Sequence, residues 1–211
     1  MYLPHHFTQT DTATLVAFMR QYAFATIVSE VDGKPFASHL PFVVEWKEDG
    51  TIQLLAHFAK ANPQWQTLEG QTALVIFNEP HAYISPSLYD KELSVPTWNY
   101  IAVHAYGHAT LITEEAAVRE LLEKQIQSFE KEYFTQWMNL PEPFKAAMQK
   151  GITAFRIDVT EPQGKEKLSQ NKSAQERERI GKHLIENTDS TARETGLQML
   201  NKLLITPITD N

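Results

Sequence analysis

The stretch His57-Phe58-Ala59-Lys60-Ala61-Asn62-Pro63-Gln64-Trp65 has the spacing with the clearest chemical content. Thr51 to Ala56 leads into it as an apolar strand, and Pro63 to Glu69 reads as one or two helical turns closed by Gly70. Asn62 stands where an N-cap belongs, and Pro63 where a first helical residue loses nothing by lacking an N–H. Amides at such a helix start, with Lys60 beside them, form a seat for a phosphate or carboxylate. A lysine near a helix start is ordinarily a solvated surface group, so support has to come from elsewhere in the chain.

Flat and polar side chains supply it. Trp65, Trp98 and Tyr100 offer apolar faces, and Asn99, Ser169, Gln170 and Asn171 offer hydrogen bonds to ring heteroatoms, which together suit an aromatic ligand bearing a phosphate. Competing chemistries are weaker. His104 and His108 would share a metal on a helix, but their segment reads as extended, which holds the two rings apart, so no metal is expected. Ser85, Ser87 and Ser94 lack a nucleophile-elbow context, and with 8 glycines the chain has no Gly-rich nucleotide loop. The absence of cysteine excludes disulfides, iron–sulfur clusters and thiolate metal sites.

Several elements must position these groups. Thr10 or Asp11 caps a first helix striped with Leu15, Val16, Phe18, Met19 and Tyr22. Ala25 to Ser29, a turn at Asp32-Gly33, and Pro35 to Trp46 read as a hairpin, followed by a strand from Thr51 to Phe58. Thr72 to Phe77 is a short strand apolar on both faces, Pro80 to Pro96 is irregular, and Thr97 to Ile112 resumes strand alternation. A helix capped by Thr113 follows, then a short helix after Pro141 and a last strand from Ile152 to Thr160, broken by Glu161-Pro162-Gln163-Gly164. Ser173 and Glu176 have capping-box spacing, and a final helix spans Ser190 to Leu204. The expected fold is mainly β with peripheral helices (α+β): an antiparallel six-stranded split β-barrel, closed or nearly so.

With 211 residues, one well-cored domain over 1–160 is expected, with a polar loop and helical extension over 161–211 packed on the barrel or on a dimer partner. No apolar run is long enough to cross a bilayer and the start lacks a secretory pattern, so a cytoplasmic protein with no membrane partner is expected. A net charge of -7 gives no basic footprint for DNA. The C-terminal helix pair is balanced as well: Arg177, Arg179, Lys182, Arg193 and Lys202 face Glu176, Glu178, Glu186, Asp189 and Glu194, which suits packing on a second subunit better than reading a groove.

Five blocks in order carry a family resemblance: Tyr2 to Phe7; His57 to Trp65; His81 to Pro86; Val95 to Tyr100 with Val103 to Gly107; and Lys167 to Lys172. Together the chain resembles the PaiB family, described as FMN-binding negative transcriptional regulators on the FMN-binding split-barrel fold. The resemblance implies a homodimer with FMN in a groove between subunits. It implies that the turn His57, Lys60, Ala61 and Asn62 meets the FMN phosphate, with Lys60 as the cation. It further implies that Ser38, His39 and Leu40 present backbone to the ring edge, and that Trp98, Asn99, Tyr100, Ser169, Gln170 and Asn171 approach the same groove. Two departures stand out. Leu88 lies where relatives often carry a tryptophan, and Ala59 and Ala61 flank Lys60 where split-barrel flavoproteins commonly add Ser or Arg. The expected function is a PaiB-like negative regulator of transcription. The alternatives are an FMN-dependent oxidoreductase and a haem-binding relative using His39, His57 or His104.

Overall fold

A computed structural model describes residues 1–205, so the last residues of the expected C-terminal extension lie outside the described residues. In chain order the strands and α-helices are β1 (Thr8–Gln9), α1 (Thr12–Gln21), β2 (Phe24–Val31), β3 (Lys34–Pro41), β4 (Val43–Trp46), β5 (Ile52–Ala59), β6 (Thr72–Ile84), β7 (Thr97–Ile112), α2 (Glu115–Phe129), α3 (Tyr133–Asn139), α4 (Glu142–Gln149), β8 (Ile152–Lys167), α5 (Ala174–Ile185) and α6 (Ser190–Ile205). Short 3-10 turns occur at His5–Phe7, Pro63–Gln66 and Pro86–Leu88.

The six-stranded expectation is corrected to eight strands among the described residues. Their hydrogen-bonded order is β3-β2-β6-β7-β8-β5-β4, with β1 on β8, so the path is open and β3 and β4 end it rather than closing on each other. Three boundaries differ from the expectation, two of them through overreading proline; the added strands are the unanticipated β1 and the β4 that the third difference creates. β6 continues past Pro80 with Ala82 and Ile84 buried and Tyr83 exposed, and β8 continues past Pro162 because Lys165 and Gly164 pair with Thr8 and Gln9. The third is a break: the long returning strand divides at Phe42, whose amide turns away to the Ala23 carbonyl at 2.9 Å.

Other local readings survive. The Asp11 carboxylate caps α1 by accepting from the Thr14 amide at 2.8 Å, and α1 buries Leu15, Val16, Phe18 and Met19. Asp32 and Gly33 both take positive φ, 52° and 74°, the conformation that joins β2 to β3 without splaying them. Ser173 and Glu176 form the capping box of α5. Thr113 does not cap α2; Glu114 occupies that position and its side chain makes no capping bond.

The chain resolves into two compact units. One comprises residues 11–77 and 104–162. Its core holds Phe42, Phe58, Phe77 and Phe155, with ring centres 6.0 Å apart for Phe42–Phe77, 6.2 Å for Phe42–Phe155 and 4.7 Å for the stacked Phe58–Phe155. A second apolar cluster of Val43, Leu55, Leu121 and Ala154 anchors α2 to β4, β5 and β8. The other unit comprises residues 1–10, 78–103 and 163–211. There α5 and α6 cross so closely that a Cβ on Gly196 would stand 2.8 Å from the Gly181 carbonyl oxygen.

Candidate functional site

In the unit of residues 11–77 and 104–162, the turn after β5 is built as the sequence implies, but smaller. Asn62 caps only the four-residue 3-10 turn Pro63–Gln66, where one or two longer helical turns were expected. Its Oδ1 accepts from the Gln64 amide at 2.9 Å, which leaves few free amides there, and the weight of any anion recognition falls on side chains. The other end of the carboxamide does something the sequence did not announce: Asn62 Nδ2 donates to Ser38 Oγ at 2.8 Å. That bond ties the turn to β3, which among the described residues pairs with β2 and ends the strand order. Ser38 and Leu40 are half-buried and His39 is exposed, with His39 Nδ1 2.9 Å from Thr26 Oγ1.

Gln64 is the residue that fixes this arrangement, and sequence reasoning gave it no role. Its side chain is fully buried, and Nε2 reaches Ile27 O at 3.3 Å, Ser29 Oγ at 3.0 Å and Phe36 O at 3.2 Å, so one carboxamide pins the turn onto the β2–β3 hairpin. Nothing local in the sequence marked it, because its partners on β2 and β3 lie 28 to 37 residues away.

Lys60 and Ala61 are exposed. The Lys60 amide donates to Gly151 O at 2.8 Å, and its carbonyl accepts from Trp65 Nε1 at 2.9 Å. Its ammonium sits 4.3 Å from the Trp65 ring centre, held over the aromatic face. Lys60 and Trp65 line a cavity of about 400 Å³ together with Glu115, Gln149, Lys150 and Thr153. His57, half-buried on β5, has a pKa lowered by burial, partly offset by a hydrogen bond to Gln125.

In the unit of residues 1–10, 78–103 and 163–211, a different subset meets. Asn99, fully buried on β7, exchanges hydrogen bonds with Ser169: Nδ2 donates to Ser169 Oγ at 2.9 Å, and Oδ1 accepts from it at 3.2 Å. Ser169 takes a positive φ of 61°. Gln170 Oε1 accepts from the Leu168 amide at 2.7 Å, closing the turn. Asn99, Ser169 and Asn171 line a cavity of about 490 Å³ to which Lys167 and Lys172, the ends of one family block but given no role of their own, add positive charge. Lys167 Nζ donates to Thr97 Oγ1 at 2.5 Å, and Lys172 stands 3.7 Å over the Tyr89 ring. Strand alternation sends Trp98 and Tyr100 the other way. Trp98 is exposed against His81 and Tyr83, and Tyr100 packs under the buried Lys165 at 5.3 Å.

The Lys60 turn carries groups of the kind a phosphate-bearing flavin requires: a cation held over an indole and a polar bridge to an edge strand. Among the described residues no cluster of His, Asp or Glu is arranged to hold a metal, and no helix is long and apolar enough to cross a membrane.

Comparisons point the same way. Residues 1–161 match the family described as "Putative FMN-binding domain". The chain is 36% identical over 206 residues to the protease synthase and sporulation protein PAI 2 of Bacillus subtilis, covering 96% of this chain and 98% of that one. Among solved structures it is similar to the flavocytochrome Anf3 of Azotobacter vinelandii, with TM-score 0.62, 19% identity, and 78% of this chain and 72% of that one covered. It is likewise similar to the FAD and heme binding protein of Mycobacterium smegmatis, with TM-score 0.63, 16% identity, and coverage of 81% and 78%. At such identities the structural likeness speaks to the fold.

Proposed function

The chain belongs to the FMN-binding domain family, and from that premise we propose that it is a PaiB-like regulatory protein that binds FMN, with Lys60 meeting the phosphate and the edge strand β3 meeting the ring. The observation that carries this reading is the Asn62–Ser38 hydrogen bond at 2.8 Å. Two segments expected to touch opposite ends of one ligand are far apart in sequence, and this bond holds them side by side. Preorganisation of that kind lowers the ordering cost of binding. The family resemblance extends the same assignment to His57, Ala61, His39 and Leu40. In the other unit, Asn99, Ser169, Gln170 and Asn171, with Trp98 and Tyr100, are proposed as flavin-binding residues on the strength of the family resemblance alone.

A homodimer with the flavin between subunits is part of the proposal, supported by the place of β3 at the end of the strand order and by the fold. The regulatory role rests on the family resemblance; the Bacillus relative is named for protease synthase and sporulation. The net charge of -7 argues that any effect on transcription runs through a local patch or a partner rather than broad phosphate contacts.

Dialysis against excess FMN followed by desalting tests the flavin reading: a retained yellow spectrum is expected, and a colourless protein would reject it. For regulation, fluorescence polarisation with promoter DNA at low salt is run with and without FMN. A flavin-dependent change supports a direct role, and binding no better than a nonspecific duplex in both rejects it.

A further inference from the structure

In the unit of residues 1–10, 78–103 and 163–211, the cavity of about 490 Å³ gathers positive charge with no negative charge in its lining. Its titratable lining is Lys167, Lys172, Tyr89 and His6, and no carboxylate lines it, in a chain whose net charge is -7. Both lysines are half-buried and held by neutral groups: Lys167 donates to Thr97 Oγ1, and Lys172 stands 3.7 Å over the Tyr89 ring. Neighbouring carboxylates are committed elsewhere. Glu166 pairs with Lys202 at 3.0 Å, and Asp90 pairs with Arg179 at 2.6 Å. Glu176, whose charge acts on Lys172, accepts from the Asp90 and Ser173 amides, each at 3.1 Å. Glu92 is exposed and does not line the cavity. Among the described residues, neither Lys167 nor Lys172 has an ion-pair partner.

An apolar wall accompanies the charge. Phe7, Leu93 and Val95 line the same cavity, and Leu93 and Val95 are 99% and 78% exposed, so aliphatic surface stands open beside two unbalanced cations. Phosphate sites usually add backbone or side-chain N–H groups to such cations, and here those groups are spent. Asn99 and Ser169 bond to each other, and the start of α5 after Lys172 is closed by its capping box. An anion with an organic body gains from the aliphatic wall, which a free, fully hydrated anion does not. We infer that this cavity binds a small amphipathic carboxylic acid, its carboxylate meeting Lys167 and Lys172 and its apolar body lying against Phe7, Leu93 and Val95. The inference does not rest on the flavin reading, since the two lysines carry it and neither is assigned to FMN.

Isothermal titration of the full chain without FMN tests this, with trans-cinnamate and hexanoate as the aromatic and aliphatic acids and cinnamyl alcohol and hexanol as their uncharged counterparts. The parent is expected to bind at least one acid saturably, and the matching alcohol about tenfold or more weaker. Lys167→Met and Lys172→Met keep an apolar stem and remove the charge, and each is expected to weaken the acid about tenfold. Lys91→Met, exposed on the same loop and outside the cavity, leaves binding unchanged. The comparison of acid with alcohol needs no mutation, so it decides the matter even where a variant fails to fold. Absence of saturable binding of both acids at millimolar concentration, an alcohol that binds as tightly as its acid, or lysine variants that match the parent would overturn the inference. So would FMN that displaces the acid and itself weakens in the two lysine variants, because the cavity then belongs to the flavin.

Discussion

Asn62 Nδ2 donates to Ser38 Oγ at 2.8 Å while Asn62 Oδ1 accepts from the Gln64 amide at 2.9 Å, so one carboxamide both caps a turn and fastens it to an edge strand. The two halves of that role separate by mutation. Asn62→Ala removes both bonds and is expected to cost about 1 kcal/mol through the lost cap. Ser38→Ala removes only the bridge. It is expected to change stability little, yet to weaken FMN by several-fold in a fluorescence titration. Equal effects of the two variants on both readouts would contradict this division of labour.

Gln64 holds the turn from beneath. Gln64→Leu leaves Ser29 Oγ without this donor and frees the Ile27 and Phe36 carbonyls inside a buried region, with an expected loss of about 1–3 kcal/mol in denaturant unfolding. Because the hairpin and the turn then part company, FMN affinity should fall together with stability.

His57 sets a pH dependence. Burial, the larger influence, lowers its pKa below the ordinary histidine value, so in acid the unfolded chain takes the proton before the native one does. Its contribution is therefore intact above about pH 6.5 and is lost as pH falls from there toward the lower native pKa. His104 shifts in the same direction, also chiefly by burial. Unfolding free energy measured from pH 7.5 down to 5 should decline, and His57→Gln should flatten part of that decline, leaving the share due to His104.

The α5–α6 crossing depends on two glycines. A methyl on Gly196 would meet the Gly181 carbonyl oxygen at 2.8 Å and Leu184 Cβ at 2.9 Å, neither of them the end of a flexible chain. Gly196→Ala is expected to force the helices apart, at about 1–3 kcal/mol by the usual scale of overpacking. A thermal melt of the full chain checks it, and an unchanged midpoint would show that the crossing relaxes freely.

Much of the fold was legible because local rules governed it. Asp11, Asp32-Gly33 and Ser173 with Glu176 act within a few residues of themselves, and their side chains do as the spacing says. Proline misled where pairing overrode it. Pro80 and Pro162 read as breakers, but alternation of buried residues carries β6 onward and the short strand β1 captures the end of β8. The site was half legible for a related reason. Lys60, Asn62, Asn99 and Ser169 stand in blocks whose residue types announce polar work. Gln64, Lys167 and Lys172 acquire meaning only from what surrounds them in space, and the lack of a carboxylate beside a lysine leaves no trace in a sequence.

The central claim is that a phosphate-bearing flavin is held through Lys60. Titration of FMN fluorescence against the parent and Lys60→Ala, at fixed ionic strength, tests it most directly. The expected result is saturable quenching by the parent and a Kd about tenfold or more weaker in the variant, with riboflavin affected much less. FMN binding that is absent in the parent, or equally tight without the Lys60 ammonium, would contradict the account.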